Sequence, residues 1–219
     1  MKSVLLATFF AFISSTSFAI SWEPNCGASY KKDFLKPNYT FHVKHGEVGG
    51  CKSDSLEQYW SPTANWKWSE RKEVMSSGRI GKGKYVWSAT IDIERNCQPA
   101  YRNTLFQLHA GEYMTPPPSF LGINKYNQFR TNQSSTSIGP VPEGPFEVIA
   151  EMSITDDRID VDYYINGKYL TTTVRVNESG KPYRRLFMKF GVYRVNSNCD
   201  ITQKYYNVKF SKKTVDNNK

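Results

Sequence analysis

Three short segments of the sequence place polar side chains at alternate positions, the spacing that puts them on one face of a β-strand. The polar residues concerned are Arg71, Glu73, Gln107, His109, Lys189 and Tyr193. Gly191 lies between the last two and has no side chain, so it leaves room above the sheet. If the three strands are neighbours, we expect one surface that carries cations, an amide, an imidazole and a phenol.

These groups suit the β-elimination of a 4-linked uronic acid. Removal of the C5 proton places negative charge on the adjacent carboxylate, which Arg, Gln or His side chains must neutralise. A tyrosine can take this proton and also protonate the departing O4 where the geometry allows. The ordinary tyrosine pKa of about 10 is too high for a base at neutral pH. Cations such as Arg71, Lys189 or Arg194 would therefore have to lower the pKa of the catalytic phenol.

The same segments, taken in order, resemble a known family. The set ERKEV, FQLH followed by TPPPSF, and MKFGVYR is similar to the alginate lyase, glucuronan lyase and heparin lyase group of polysaccharide lyases, over residues 70–195. The comparable segments of that group are an R-x-E strand, a Q-x-H strand and a terminal K-x-G-x-Y strand. The KFGVYR form and the prolines after Gln-x-His look closer to the glucuronan and heparin lyase branch. The resemblance implies a β-jelly roll.

The resemblance also implies roles for individual residues. Gln107 and Arg71 would neutralise the substrate carboxylate, His109 would act as base or carboxylate partner, and Tyr193 would be the catalytic acid or acid/base. Lys189 and Arg194 would bind substrate or tune Tyr193. Two more residues are expected to contribute to substrate binding: Glu73, which would orient Arg71, and Tyr113, which could stack on a sugar ring.

One position departs from the family pattern. Many alginate lyases carry a second arginine two positions after the glutamate, and Met75 stands there in this chain. Alginate specificity is correspondingly less secure, and the sequence favours either a glucuronan-like or an alginate-like substrate. Further aromatic residues that could stack on sugar rings are Trp60, Trp66 and Trp68.

Composition and periodicity independently favour an all-β fold. Fifteen per cent of the 219 residues are aromatic, with 14 Tyr and 13 Phe, which suits pleated, half-buried surfaces. Residues 84–94 alternate as a half-buried strand, and Asn166-Gly167 between two alternating runs predicts a type I′ hairpin. Residues 115–145 are rich in Pro, Ser and Asn and predict loops, with room for a short strand at FLGIN. Short strands with frequent turns predict one domain, a jelly-roll sandwich of two antiparallel sheets.

The N-terminus predicts export. We predict a signal peptide over residues 1–19, followed by the lyase domain over 20–219. The evidence is Lys2, the apolar run that follows it, and the small-x-small cleavage pattern at Ser17-Phe18-Ala19. The protein is then secreted or periplasmic, and four cysteines predict two disulfides there, with Cys26–Cys51 and Cys97–Cys199 favoured among three pairings. Zinc is disfavoured because no CxxC spacing exists.

The net charge of +9 predicts an anionic partner. The basic residues are spread along the chain without the compact run or fingerprint of a nucleic-acid-binding protein, so we expect an anionic polysaccharide, no nucleic acid and no membrane. No cofactor is required by the chemistry, and we expect a monomer. Asp156, Asp157 and Asp160 could supply ligands to a structural calcium, but their spacing matches no calcium loop and better fits a hairpin surface.

Two other functions compete with a lyase. A non-catalytic carbohydrate-binding module could keep a basic groove on the same fold without the chemistry. An exported effector that acts on another protein is a third possibility, and it would need an exposed apolar patch. The combination of Gln107, His109 and Tyr193 favours the lyase, because a pure binder has no need for a phenol aligned with an imidazole.

Overall fold

The computed structural model describes residues 22–24, 37–43, 69–76, 80–95, 102–110, 117–133, 137–176, 183, 186–195 and 200–213. The regular structure of these residues consists of strands in two antiparallel sheets. Within the same ranges, no helix is long and apolar enough to cross a membrane. The prediction of an all-β sandwich is confirmed.

The first sheet holds the three motif segments, and we call it the site sheet. In spatial order its seven strands are β1 (Trp22–Pro24), β3 (Ser69–Ser76), β12 (Leu186–Val195), β5 (Arg102–Ala110), β6 (Ser119–Asn124), β7 (Gln128–Thr131) and β8 (Gly139–Pro140). The opposite sheet packs beneath it. Its six strands are β11 (Lys168–Val176), β10 (Arg158–Ile165), β9 (Phe146–Ile154), β4 (Gly83–Arg95), β13 (Ile201–Lys213) and β2 (Tyr39–Val43).

The core between the sheets is aromatic and fixes which face of each strand points inward. On β4, the alternation predicted from the sequence buries Tyr85, Trp87 and Ile91. The Trp87 ring lies 4.6 Å from Phe106 and 5.6 Å from Phe190, both on the site sheet. Each such side chain contributes about 1.5–3 kcal/mol when fully buried. A one-residue slip of a site strand would expose these rings, so the core also fixes the outward face.

The hairpin predicted at Asn166-Gly167 is confirmed. Asn166 has φ 49° and Gly167 has φ 72°, so both central residues adopt the positive φ that a type I′ turn requires. The turn also docks onto β9, because the Asn166 side chain accepts a hydrogen bond from the Glu147 N–H at 2.8 Å.

The aspartates weighed as calcium ligands lie at the turn between β9 and β10. Asp156 pairs with Lys82, Asp160 pairs with Arg158 at 2.9 Å, and Asp157 accepts a hydrogen bond from the Thr155 hydroxyl. The hydrogen bond from the Thr155 hydroxyl is the main reason that the pKa of Asp157 is lowered. These contacts fit the interpretation as a hairpin surface.

Residues 115–145 hold more strand than the sequence predicts. FLGIN lies in β6 as expected, but QFRT forms β7 and Gly139–Pro140 forms the short β8. The signal in QFRT is an alternation in which Phe129 and Thr131 are buried while Gln128 and Arg130 are half-buried. A strand of four residues among polar neighbours is too short for that alternation to stand out.

Several sequence-based expectations fall outside the described residues. These are the signal peptide at 1–19, all four cysteines, and the aromatic candidates Trp60, Trp66, Trp68 and Tyr113. They stay predictions.

Candidate active site

The three motif strands are neighbours. β12 lies in the middle of the site sheet, with β3 on one side and β5 on the other, all antiparallel. The inward residues Val74, Phe106, Leu108, Met188 and Phe190 belong to the hydrophobic core. Their alternate neighbours therefore lie on the outer face of the sheet, as the sequence predicts.

Cross-strand register arranges the outer face in rows. Lys189 is the partner of Gln107 on β5 and of Met75 on β3. Two positions further along β12, Gly191 is the partner of Glu73. Tyr193 is the partner of Arg71 on one side and of Thr104 on the other, and we call this the Tyr193 row.

Glu73 and Gln107 meet above β12. The Gln107 amide Nε2 donates a hydrogen bond to Glu73 Oε1 at 2.7 Å, and both side chains are only 3% exposed. This bond joins β3 to β5 across the position of Gly191, where any other residue would present a side chain. The space that the glycine leaves is thus used by a polar pair. The expected contact of Glu73 with Arg71 stays a prediction, since the Arg71 side chain is outside the described part of the chain.

Phe187 contacts both an imidazole and an ammonium group. The His109 ring stacks on it at a centroid distance of 5.2 Å and an interplanar angle of 21°, while Lys189 Nζ lies 5.3 Å from the centre of the same ring. Lys189 is 7% exposed, so this cation–π contact operates in a largely dry environment, where it is worth more than at a surface. The Phe187 ring therefore helps to fix both polar groups.

His109 and Tyr193 occupy different levels of the surface. His109 is the partner of Phe187, whereas Tyr193 is the partner of Thr104. A straight strand from Phe187 to Tyr193 spans roughly 20 Å. The two groups are thus on one face but are not cross-strand partners, and the Lys189–Gln107 pair lies between them. Arg194 follows Tyr193 on β12 opposite Asn103, and its side chain is outside the described set.

A β-bulge lies beneath the Tyr193 row and is held from the opposite sheet. The pairing of β12 with β5 shifts register between Phe190 and Tyr193, so β12 has one residue more there than β5. Gly191 has φ 131°, a conformation available almost only to glycine. The buried Tyr205 hydroxyl on β13 accepts a hydrogen bond from the Gly191 N–H at 3.2 Å.

The single proton of that hydroxyl is within reach of three acceptors, the Leu105 carbonyl at 2.9 Å, Gln203 Oε1 at 2.9 Å and the Gly191 carbonyl at 3.2 Å. A bulge re-aims the residues beside it and leaves backbone groups unpaired. Tyr205 satisfies such groups at the point where β12 turns towards Tyr193.

The Tyr193 row continues onto strands that the sequence did not connect with the site. Thr104 is the partner of Gly122 on β6, and Gly122 is the partner of Arg130 on β7. A Cβ atom on Gly122 would approach the Asn103 carbonyl to 2.7 Å, so glycine is required there. Arg130 escaped sequence reasoning because its segment was interpreted as a loop.

The comparisons with known proteins concern the fold. No protein-family model matches the sequence, and no curated protein is significantly similar to it. Among solved structures, alginate lyase AlgAT5 of polysaccharide lyase family 7 matches with a TM-score of 0.56 at 10% identity, over 89% of this chain and 95% of that one. An endo-β-1,4-glucuronan lyase from the fungus Trichoderma reesei matches with a TM-score of 0.52 at 9% identity, over 88% and 94%.

A third matching structure has this fold in only a small part of a longer chain. A sialidase matches with a TM-score of 0.52 at 13% identity over 90% of this chain, but this is 17% of the sialidase chain. Identities of this size establish architecture and leave activity to chemical argument. The chain therefore has the β-jelly-roll fold found in alginate and glucuronan lyases, as its three motifs predict.

Proposed function

We propose that this protein is an exported polysaccharide lyase that cleaves an anionic polymer of 4-linked uronic acid by β-elimination. The observation that carries the proposal is the Glu73–Gln107 hydrogen bond across Gly191, because it brings all three motif strands into one polar surface. The fold shared with alginate and glucuronan lyases supports it. The predicted signal peptide and cysteines support export.

In the proposed reaction the substrate carboxylate is neutralised before the C5 proton leaves. Gln107 has a second N–H beyond the one that it donates to Glu73, and this donor, with Arg71, would hold the carboxylate oxygens. These donors stabilise the enediolate-like charge that develops as the C5–H bond breaks. His109 lies beyond Gln107 on the side away from Tyr193, so it would bind the polymer there.

Tyr193 supplies the proton transfers in this scheme. Its phenolate oxygen would take the C5 proton, the electron pair would form the C4–C5 double bond, and the C4–O4 bond would break. The same hydroxyl would then protonate the departing O4, which restores the phenolate. Lys189 and Arg194 would bind the polymer or stabilise charge at Tyr193. Side chains fill every role, so the scheme needs no cofactor.

The substrate is proposed to be glucuronan-like or alginate-like. Met75 is the partner of Lys189 in the register, at the position where many alginate lyases have a second arginine. This departure from the alginate lyase pattern makes the glucuronan-like polymer the first to test.

A carbohydrate-binding module is the second candidate. The structural match to a sialidase covers only 17% of that protein, so a domain of this fold is one part of a longer chain there. This match favours the binding module. The low exposure of Gln107 and Lys189, 3% and 7%, also fits a surface that is held rigid for binding.

The test incubates the purified protein with polyglucuronate, alginate and heparin-type polymers and follows the ultraviolet absorbance of the new double bond conjugated to the carboxylate. We expect absorbance to rise on one polymer and Tyr193→Phe to slow this at least about 100-fold. Tyr126→Phe is the matched control, since Tyr126 is 69% exposed in the turn between β6 and β7. Binding without any rise in absorbance would favour the module.

A further inference from the structure

Arg130 lies on the same outer face as Tyr193 and on the same row. The row crosses the site sheet from Tyr193 through Thr104 and Gly122 to Arg130. The neighbouring β7 residue Phe129 belongs to the core, which places Arg130 on the outer face. Three strand spacings separate Tyr193 from Arg130, roughly 14 Å. The residues between them, Thr104 and Gly122, are small and buried, so a chain of sugars that follows the row would lie above them and reach the larger side chains at its two ends.

The guanidinium of Arg130 has no anionic partner among the described residues. The Nε atom of Arg130 is buried and has no hydrogen-bond partner. The guanidinium carbon Cζ lies 5.8 Å from the centre of the Phe120 ring. Phe120 is the partner of Gln107 and is buried outside the core cluster, so it too belongs to the outer face. A half-buried charge without a counter-ion is costly unless a ligand supplies one.

Several described cations of the opposite sheet have carboxylate partners. On the opposite sheet and its turns, Lys82 pairs with Asp156, Arg158 with Asp160 and Lys213 with Glu151. These side chains are more exposed than Arg130 and have carboxylate partners. Arg95 on β4 of the opposite sheet is also half-buried without a carboxylate partner among the described residues, but its Nη2 donates a hydrogen bond to the Asn127 side chain. Arg130 lies on the face that carries the three motifs, where an anionic polymer would bind.

From these observations we infer that Arg130, braced by Phe120, forms a subsite for the carboxylate of a uronate unit that neighbours the one cleaved. This inference rests on the proposed function and deepens it by setting the direction of the polymer across the strands, along the Tyr193 row. A planar guanidinium can bind a carboxylate through two parallel hydrogen bonds, which suits this role. The separation from Tyr193 exceeds one sugar ring, so short oligomers cannot span both positions.

The test measures binding of uronate oligosaccharides to Tyr193→Phe protein, which retains the site without turnover. In that background, Arg130→Gln should weaken binding of a hexasaccharide roughly tenfold, as expected for the loss of a charged hydrogen bond. Binding of a disaccharide should be unchanged, and Arg130→Lys should restore part of the loss. Arg175→Gln, an exposed arginine on β11 of the opposite sheet, controls for net charge. A neutral 4-linked glucan hexasaccharide should show no dependence on Arg130.

Four results would overturn the subsite. Equal binding of the hexasaccharide by Arg130→Gln and its parent would show that Arg130 makes no contact with substrate. Equal weakening of the short and long oligomers would place Arg130 at the central site. If the parent bound no uronate oligomer and the wild-type protein cleaved no polymer, the proposed function itself would fail. Cleavage by wild type with no effect of Arg130→Gln would refute the subsite alone.

Discussion

At the scale of single residues, Gln107 is already oriented by Glu73 in the protein without ligand. One amide N–H is donated to the buried carboxylate at 2.7 Å, which fixes the directions of the other N–H and of the amide oxygen. A donor that is oriented in advance stabilises developing charge without reorganisation during the reaction. In the proposed reaction, Glu73 would therefore position Gln107, and Gln107 would be the group that touches substrate.

Substitution of Gln107 by leucine tests this arrangement. Leucine has a similar size but no donor, so the buried Glu73 carboxylate loses the hydrogen bond from Gln107. We expect the free energy of unfolding to fall by about 1–3 kcal/mol and turnover to fall about 100-fold, measured by urea denaturation and by the absorbance assay. Glu73→Gln, which keeps an acceptor, should affect turnover less. If Gln107→Leu retained wild-type turnover, Gln107 would have no role in the reaction.

The sequence identified these residues but could not show their contacts. Alternation placed Gln107 and His109 on one face, and β5 confirms this because Phe106 and Leu108 lie in the core. The Glu73–Gln107 bond joins residues 34 positions apart across a third strand. Spacing along the chain does not determine the register between strands, so neither this bond nor the different levels of His109 and Tyr193 could be predicted.

At the scale of elements, the bulge in β12 is the feature that sets Tyr193 relative to Lys189. Its backbone is held by a phenol from the opposite sheet, which connects the candidate active-site surface with the core. Burial raises the pKa of Tyr205 well above its usual range, so its hydroxyl keeps its proton and remains a donor.

Removal of that hydroxyl should loosen the bulge. In Tyr205→Phe, the Gly191 N–H loses its acceptor, and we expect a loss of about 1–3 kcal/mol in stability. Faster hydrogen exchange at the Gly191 amide and a lower kcat with little change in KM should accompany it. The control is Tyr85→Phe, which removes a hydroxyl of the opposite sheet that donates a hydrogen bond to the Lys82 carbonyl. This variant should leave the Gly191 exchange rate and kcat unchanged. An unaltered Gly191 exchange rate in Tyr205→Phe would show that the bulge does not depend on this contact.

The strands were predictable where alternation is long and both boundaries carry turn residues. β4 and the hairpin of β10 and β11 meet both conditions. β7 meets neither, because it is four residues long and its outward positions are polar like the loop around it. The oversight matters for the inferred subsite, since Arg130 lies on that strand.

At the scale of the whole molecule, two buried phenols link the sheets through polar contacts. Tyr205 reaches from β13 to the bulge, and the Tyr163 hydroxyl on β10 hydrogen-bonds the Ser119 hydroxyl on β6 at 2.6 Å. Ser119 also contacts the Thr173 hydroxyl at 2.5 Å, so the second link is a small network. Both tyrosines are 0% exposed, and burial raises the pKa of each.

These phenols predict a loss of stability at alkaline pH. Above a pH of about 10 the unfolded chain releases the phenolic protons while the folded protein keeps them, so the unfolded state binds fewer protons and stability falls as pH rises. Each tyrosine contributes a slope of about 1.4 kcal/mol per pH unit until its raised folded-state pKa is reached. Urea denaturation between pH 10 and 12 should show a slope that Tyr163→Phe reduces by one such contribution. The same slope in wild type and variant would mean that Tyr163 ionises in the folded protein.

The mass of the products tests the central claim most directly. A defined uronate oligosaccharide is digested, and the products are weighed by mass spectrometry. For β-elimination we predict two fragments whose masses sum to that of the substrate, one of them with an unsaturated uronate at its new non-reducing end, and no such fragments from Tyr193→Phe. Fragments whose masses sum to the substrate plus one water would show hydrolysis and contradict the lyase mechanism, and an intact oligosaccharide that remains bound would identify the protein as a binding module.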